Sequence, residues 1–190
     1  MTDIAVIDTI ALLVDPTLTT GEWQTEADSA AAFDSLLVRH AGEYFRSYAE
    51  VPGTLTQPRP GQVDRSVRID RLLIPTGLAR KAGWTHGAVG IELKRSGVKF
   101  GPVIAQAMDY LRSSWRLNGI WVQLDAVFIW PMQKHGGSIA SVMAQSRIGT
   151  AGVGYHGSLK FSLGEEVLFA SDDWGVRMRA TNSGRKVGSR

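Results

Sequence analysis

Asp70, Glu92 and Lys94 are the residues whose types and spacing could do chemistry together. Glu92 and Lys94 stand two apart in GAVGIELK (87–94), so on a strand both side chains leave one face while Ile91 and Leu93 point to the other. Asp70, on the preceding apolar-polar segment, is expected to reach the same spot. Two converging carboxylates can hold a hard, oxygen-seeking divalent ion such as Mg²⁺. Such an ion polarises a phosphate and makes a bound water more acidic. A neighbouring lysine can orient that water or stabilise the charge developing on phosphorus. The same trio also reads as ordinary surface: Glu92 and Lys94 as an exposed pair worth under ~1 kcal/mol, Asp70 as a partner of Arg68 or Arg71.

The elements around the trio decide between these readings. Thr25 is an N-cap, Glu26 and Asp28 follow in the first turn, and Phe33, Leu36, Leu37, His40, Tyr44 and Tyr48 recur at helical spacing. This predicts a helix over 26–49, stopped by Pro52-Gly53. VDRSVRIDRLLI (63–74) reads as a strand ended by Pro75, and 87–94 as a second, after the twelve-residue link PTGLARKAGWTH. Residues 103–116 carry Ile104, Met108, Leu111 and Trp115 on a helical stripe. Asn118-Gly119 then turns into IWVQLDAVFIW (120–130), a β-rich strand ended by Pro131. Strand, helix, strand is a crossover that makes the flanking strands neighbours in one sheet. Further on, 138–147 reads as a short helix, 148–154 as a Gly-rich turn, 158–170 as a hairpin or strand, and 176–190 as a basic, mobile tail.

The order helix, RIDRLLIP strand, GIELK strand, helix with Gln106-x-x-x-Tyr110, then strand resembles the PD-(D/E)xK nucleases, the restriction-endonuclease-like superfamily. Ile69 stands where the name-giving proline would be, and the first strand of the sheet is left to Leu55–Gln57 or the start of 63–74. The resemblance implies an α/β fold with a restriction-endonuclease-like core, a central mixed β-sheet flanked by helices in the order αβββαβ. It covers about 26–130 within a single domain of 1–175. It implies metal ligands Asp70, Glu92 and the Leu93 carbonyl, with Glu43 added from the preceding helix, and catalytic roles for Asp70, Glu92, Lys94, Gln106 and Tyr110. Mg²⁺ is the implied cofactor, with Mn²⁺ able to substitute. DNA is the implied partner, a homodimer is common in the superfamily, and small size fits phage, mobile-element, repair or recombination systems.

Composition narrows the classes. The chain has 190 residues, 44% hydrophobic and 21% charged, as in a globular domain. Having no cysteine excludes disulfides, Cys-ligated zinc and a thiol nucleophile. No run approaches the ~20 apolar residues of a membrane span, and Ile4–Val14 lacks the features of a signal peptide, so the cytoplasm is the expected compartment. No Gly-rich motif calls for an organic cofactor, and no G-x-S-x-G elbow marks a hydrolytic triad. Residues 1–63 hold three Lys/Arg against nine Asp/Glu, whereas 64–116 hold ten against four. That basic centre suits a polyanion, with Arg95, Lys99, Arg112 and Arg116 as phosphate contacts, or is merely solvated charge. His40 reads as a packed helix residue. Trp84 is the candidate for base stacking, while Trp115, Trp121 and Trp130 are expected in the core.

The expected function is therefore a Mg²⁺-dependent DNA nuclease. The alternative is a nucleic-acid-binding module that keeps the nuclease fold without cutting, and the plainest is a structural protein with an accidental trio.

Overall fold

The computed structural model describes residues 23–57, 65–131, 137–154, 157–172 and 175–178. Ile4–Val14 and most of the expected basic tail lie outside the described residues, and the first residues of that tail fall in a strand.

The first helix, α1 (Glu26–Ala41), begins as its sequence dictates, with the Thr25 hydroxyl accepting from the Asp28 N–H. It stops well short of residue 49. Phe45–Leu55 instead forms β1, paired antiparallel with β2 (Ser66–Pro75). The helical spacing of Tyr44 and Tyr48 is a local pattern, and the strand wins because both its edges find partners, β2 on one side and β4 on the other. This is the first strand of the sheet, earlier than either expected segment. A short helix, α2 (Gly77–Lys81), capped by Thr76, takes up the long link to β3 (Ala88–Leu93).

Helix α3 (Phe100–Leu111) ends five residues before 116. Ser113–Leu117 is strand β4, in a hairpin with β5 (Ile120–Val122). Asn118 and Gly119 both take positive φ, 49° and 83°, as a two-residue hairpin turn requires. Trp115 therefore sits on a strand, and its ring fills the space above Gly53, where a Cβ would lie 2.5 Å from it. The expected 120–130 strand divides into β5 and β6 (Leu124–Trp130), which occupy distant places in the sheet. After α4 (Gly137–Gln145), the Gly-rich stretch expected as a turn is strand β7 (Ile148–Val153). A side chain at Gly149 would collide with the Phe128 ring and the Ser162 carbonyl, so its glycines serve close strand packing. Strands β8 (Leu159–Leu163), β9 (Glu166–Asp172) and β10 (Gly175–Met178) extend the same sheet.

The protein is α/β, with a ten-stranded mixed sheet ordered β10-β9-β8-β7-β6-β3-β2-β1-β4-β5. Among the described residues only β3/β6 and β6/β7 are parallel, and β3 and β6 are neighbours joined through α3 and the β4-β5 hairpin, as a crossover demands. One apolar core (Phe33, Leu37, Phe45, Ile91, Phe128, Trp130) lies between the sheet and α1. The other (Val51, Ile69, Leu72, Val103, Tyr110, Trp115) lies under α3. Among the described residues, no helix is long and apolar enough to cross a membrane.

Candidate active site

Strands β2 and β3 pair over only three positions, ending at Arg71↔Ile91. The next residues along each strand toward the opening are Asp70 and Glu92, so both carboxylates stand where the strands part. β1 is also irregular here: Ala49 pairs with Arg71 and Val51 with Ile69, while Glu50 between them takes φ 51°. Asp70 caps the parting by accepting the Leu93 N–H at 2.7 Å. Its carboxylate forms no ion pair with either neighbouring arginine: Arg68 goes to Glu50 at 2.7 Å, and Arg71 makes a forked bond to Asp34 of α1 while donating to the Asp70 backbone carbonyl at 2.6 Å.

Glu92 is wholly buried. Its oxygens make no hydrogen bond of good geometry with any protein donor, although the Lys94 ammonium is in ion-pair contact. A buried carboxylate with so few donors is costly. Burial first, and then the nearby Asp70 carboxyl, push the Glu92 carboxyl up to about 7, with Lys94 opposing them. Asp70 is raised as well, by burial, against the pull of the Leu93 N–H and Lys94. Burial draws the Lys94 ammonium down, but Glu92 and Asp70 outweigh it and leave it raised. Lys94 is therefore a cation at working pH and cannot act as a free base. Its nitrogen also lies 3.7 Å from Glu26.

Gln106 and Tyr110 are joined as their i, i+4 spacing suggests: the Gln106 amide donates to the Tyr110 hydroxyl at 2.6 Å. That hydroxyl donates to the Arg68 carbonyl at 2.8 Å, which ties α3 to β2 beside the carboxylates. Burial and the facing Glu92 raise the phenol far above its ordinary value, so it stays neutral. A cleft of about 450 Å³ opens alongside, lined by Arg65, Arg68, Gln106, Asp109 and Tyr110. Arg65 and Asp109 form an ion pair across it.

No protein-family model matches this chain, and neither does any curated protein or solved structure.

The fold thus brings Asp70, Glu92, Leu93, Lys94, Gln106 and Tyr110 together. Glu43 is not with them. It is exposed in the turn after α1, where its carbonyl accepts from Thr76 near the far end of β2. His40, in the last turn of α1, lies about 21 Å along the helix from Glu26. The acid this helix offers is Glu26, at its N-terminus, because that end is fastened to β3: the Ser29 hydroxyl donates to the Lys94 carbonyl at 2.7 Å, and Ser96 bonds Trp23. First-turn acids are usual in any helix, so Glu26 carried no distinguishing signal. Among the described residues, no group of three or more His, Asp or Glu side chains stands close enough to form a metal cluster.

Arg95 and Lys99 are exposed in the loop after Lys94, while Arg112 and Arg116 lie beyond the other end of α3. Two tryptophans exchange their expected places. Trp84 is buried against Phe45, which rules it out for stacking, and Trp121 is 66% exposed on the edge strand.

Proposed function

We propose that this protein is a divalent-metal-dependent nuclease that hydrolyses DNA phosphodiester bonds on a restriction-endonuclease-like core. The observation that carries this reading is the convergence of Asp70, Glu92 and Lys94 where β2 and β3 part, with Glu92 wholly buried and its carboxylate held against the Lys94 ammonium. The order α1-β1-β2-α2-β3-α3-β4-β5-β6, in which β1, β2 and β3 are antiparallel and β6 lies parallel to β3, supports it further.

The donor set suits a hard cation: Asp70, Glu92 and the Leu93 carbonyl would hold Mg²⁺ or Mn²⁺, with hydroxyls and water filling the rest. When bound, the ion supplies Lewis acidity toward a phosphate oxygen and lowers the pKa of a ligated water. Lys94, kept charged by Glu92 and Asp70, orients the attacking water and offsets negative charge growing on phosphorus. Tyr110, locked by Gln106 and the Arg68 carbonyl, holds α3 against the site. Arg95 and Lys99 meet the backbone of the bound strand.

The competing reading, a nucleic-acid-binding module that does not cut, draws on the full burial of Glu92 and on the lack, among the described residues, of a third acid clustered with Asp70 and Glu92. Cleavage of labelled linear, circular and branched DNA in EDTA, Mg²⁺ or Mn²⁺ separates the two. Metal-dependent cutting that Glu92→Ala loses is the expected result. A folded protein that binds DNA yet cuts under no divalent ion would leave the binding module.

A further inference from the structure

The open wing of the sheet, β2-β1-β4-β5, carries an ordered polar face. On its inner side Val67, Gly53, Trp115 and Val122 are cross-strand partners turned to the core under α3. One residue along, the side chains turn outward: Arg68 opposite Pro52 on β2 and β1, and Arg116 opposite Trp121 on β4 and β5. All four are exposed. A parallel row of hydroxyls runs beside them, Ser66 opposite Thr54 opposite Ser114. Strand spacing makes the row from Arg68 to Trp121 about 14 Å long, roughly four steps of a stacked nucleotide strand at 3.4 Å each. Its near end is two residues from Asp70.

Three features of this face suit one kind of occupant. Trp121, at 66% exposure, presents a largely open aromatic surface. Arg116, directly across from it, makes no ion pair among the described residues. Arg68 has only the exposed Glu50, a pair that water and salt weaken readily. Exposed Ile120 stands beside Trp121 on the edge strand, but a protein partner would need a wider apolar patch, and the cross-strand neighbours of Trp121 on this face are arginines, hydroxyls and one proline. Aromatic, cation and hydroxyl in register are the groups that hold a nucleic acid strand by its bases and phosphates.

We propose that this face is a platform for single-stranded DNA, on which Trp121 stacks a base while Arg116, Arg68 and the hydroxyl row meet the phosphates. The proposal rests on the nuclease reading in that the strand leads to Asp70 and Glu92. A duplex stacks its bases on one another and offers Trp121 no free face, so the platform favours single strands or unpaired flaps.

Anisotropy of fluorescein-labelled oligo(dT), and of a duplex of equal length, tests this in EDTA, where no chemistry is needed. Trp121→Ala is expected to weaken oligo(dT) binding roughly tenfold, with duplex binding changed less than about twofold. Trp121→Phe restores most of the affinity. Arg116→Ala flattens the slope of log affinity against log salt by about 0.7, one phosphate on a single strand. Wild-type affinity in Trp121→Ala, or an equal loss on duplex, overturns the platform, and so does a wild type that ignores oligo(dT). Trp121-dependent binding without metal-dependent cutting would sustain the platform and defeat the nuclease reading. Cutting with unimpaired Trp121→Ala binding would do the reverse.

Discussion

Replacing Glu92 by Gln removes the charge that the fold holds at greatest cost. The Glu92 carboxyl is pushed from 4.5 up to about 7 in the folded protein, by burial and by Asp70, with Lys94 only partly compensating. A raised acid stabilises the fold while it is protonated in both states, below about 4.5. That stability is lost as pH rises toward 7, because the unfolded chain ionises first. The shift of about 2.5 units corresponds to about 3 kcal/mol by pH 8. Since the residue is fully buried, solvent screening does not reduce that figure. Gln has the same shape and no charge, so Glu92→Gln should be more stable than wild type by about 3 kcal/mol at pH 8. In a chain of this size that is about 6–12 °C in Tm. At pH 4.5 the difference should vanish. Thermal unfolding by circular dichroism at half-unit steps from pH 4.5 to 8, in EDTA, reads the two curves directly. Adding Mg²⁺ at pH 8 should raise the wild type and leave Glu92→Gln unmoved, because binding to the folded state stabilises it. A constant offset between the proteins at every pH would refute the reasoning, since it would mean that Glu92 does not titrate with folding.

Other perturbations reach the remaining parts of the site. Lys94→Ala should lower the metal-dependent cleavage rate by about 10²-fold or more while DNA affinity changes little, as gel retardation beside a rate assay would show. Glu43→Ala should cut as wild type, whereas Glu26→Ala, which strips the second carboxylate from Lys94, should lower the rate severalfold, and the ranking of the two rates is the test. Asp34→Ala should cost about 1 kcal/mol in urea unfolding, reduced because Asp34 is 44% exposed, and should loosen Arg71 beside Asp70. Gly53→Ala should cost about 1–3 kcal/mol by driving a Cβ into the Trp115 ring, with the loss visible as a lower urea midpoint.

Much of the scaffold was legible in the residues. The alternation in VDRSVRIDRLLI and the apolar run in GAVGIELK mark β2 and β3, and the crossover through α3 makes β6 the parallel neighbour of β3. Thr25 with its acidic first turn marks where α1 begins, and the i, i+4 spacing of Gln106 and Tyr110 anticipates their hydrogen bond. These are local signals, set within a few residues. β1 was not legible, because Tyr44 and Tyr48 mimic a helix and the segment becomes a strand only through partners remote in sequence. The end of α3 was obscured for the same reason, as Trp115 keeps the helical stripe while its burial comes from Gly53 and Tyr110.

The sequence alone determined that two carboxylates and a lysine lie on adjacent strands of an α/β sheet, since residue type and a period of two suffice for that. Tertiary structure decided how these groups behave. Asp70 and Glu92 meet where β2 and β3 part, and burial there raises both carboxyls. The fastening of the α1 N-terminus to β3 places Glu26, and not Glu43, beside Lys94. The place of β5 at the sheet edge turns Trp121 to solvent while Trp84 goes inside. Burial, charge proximity and edge position are properties of pairs distant along the chain, and no local pattern of residues encodes them.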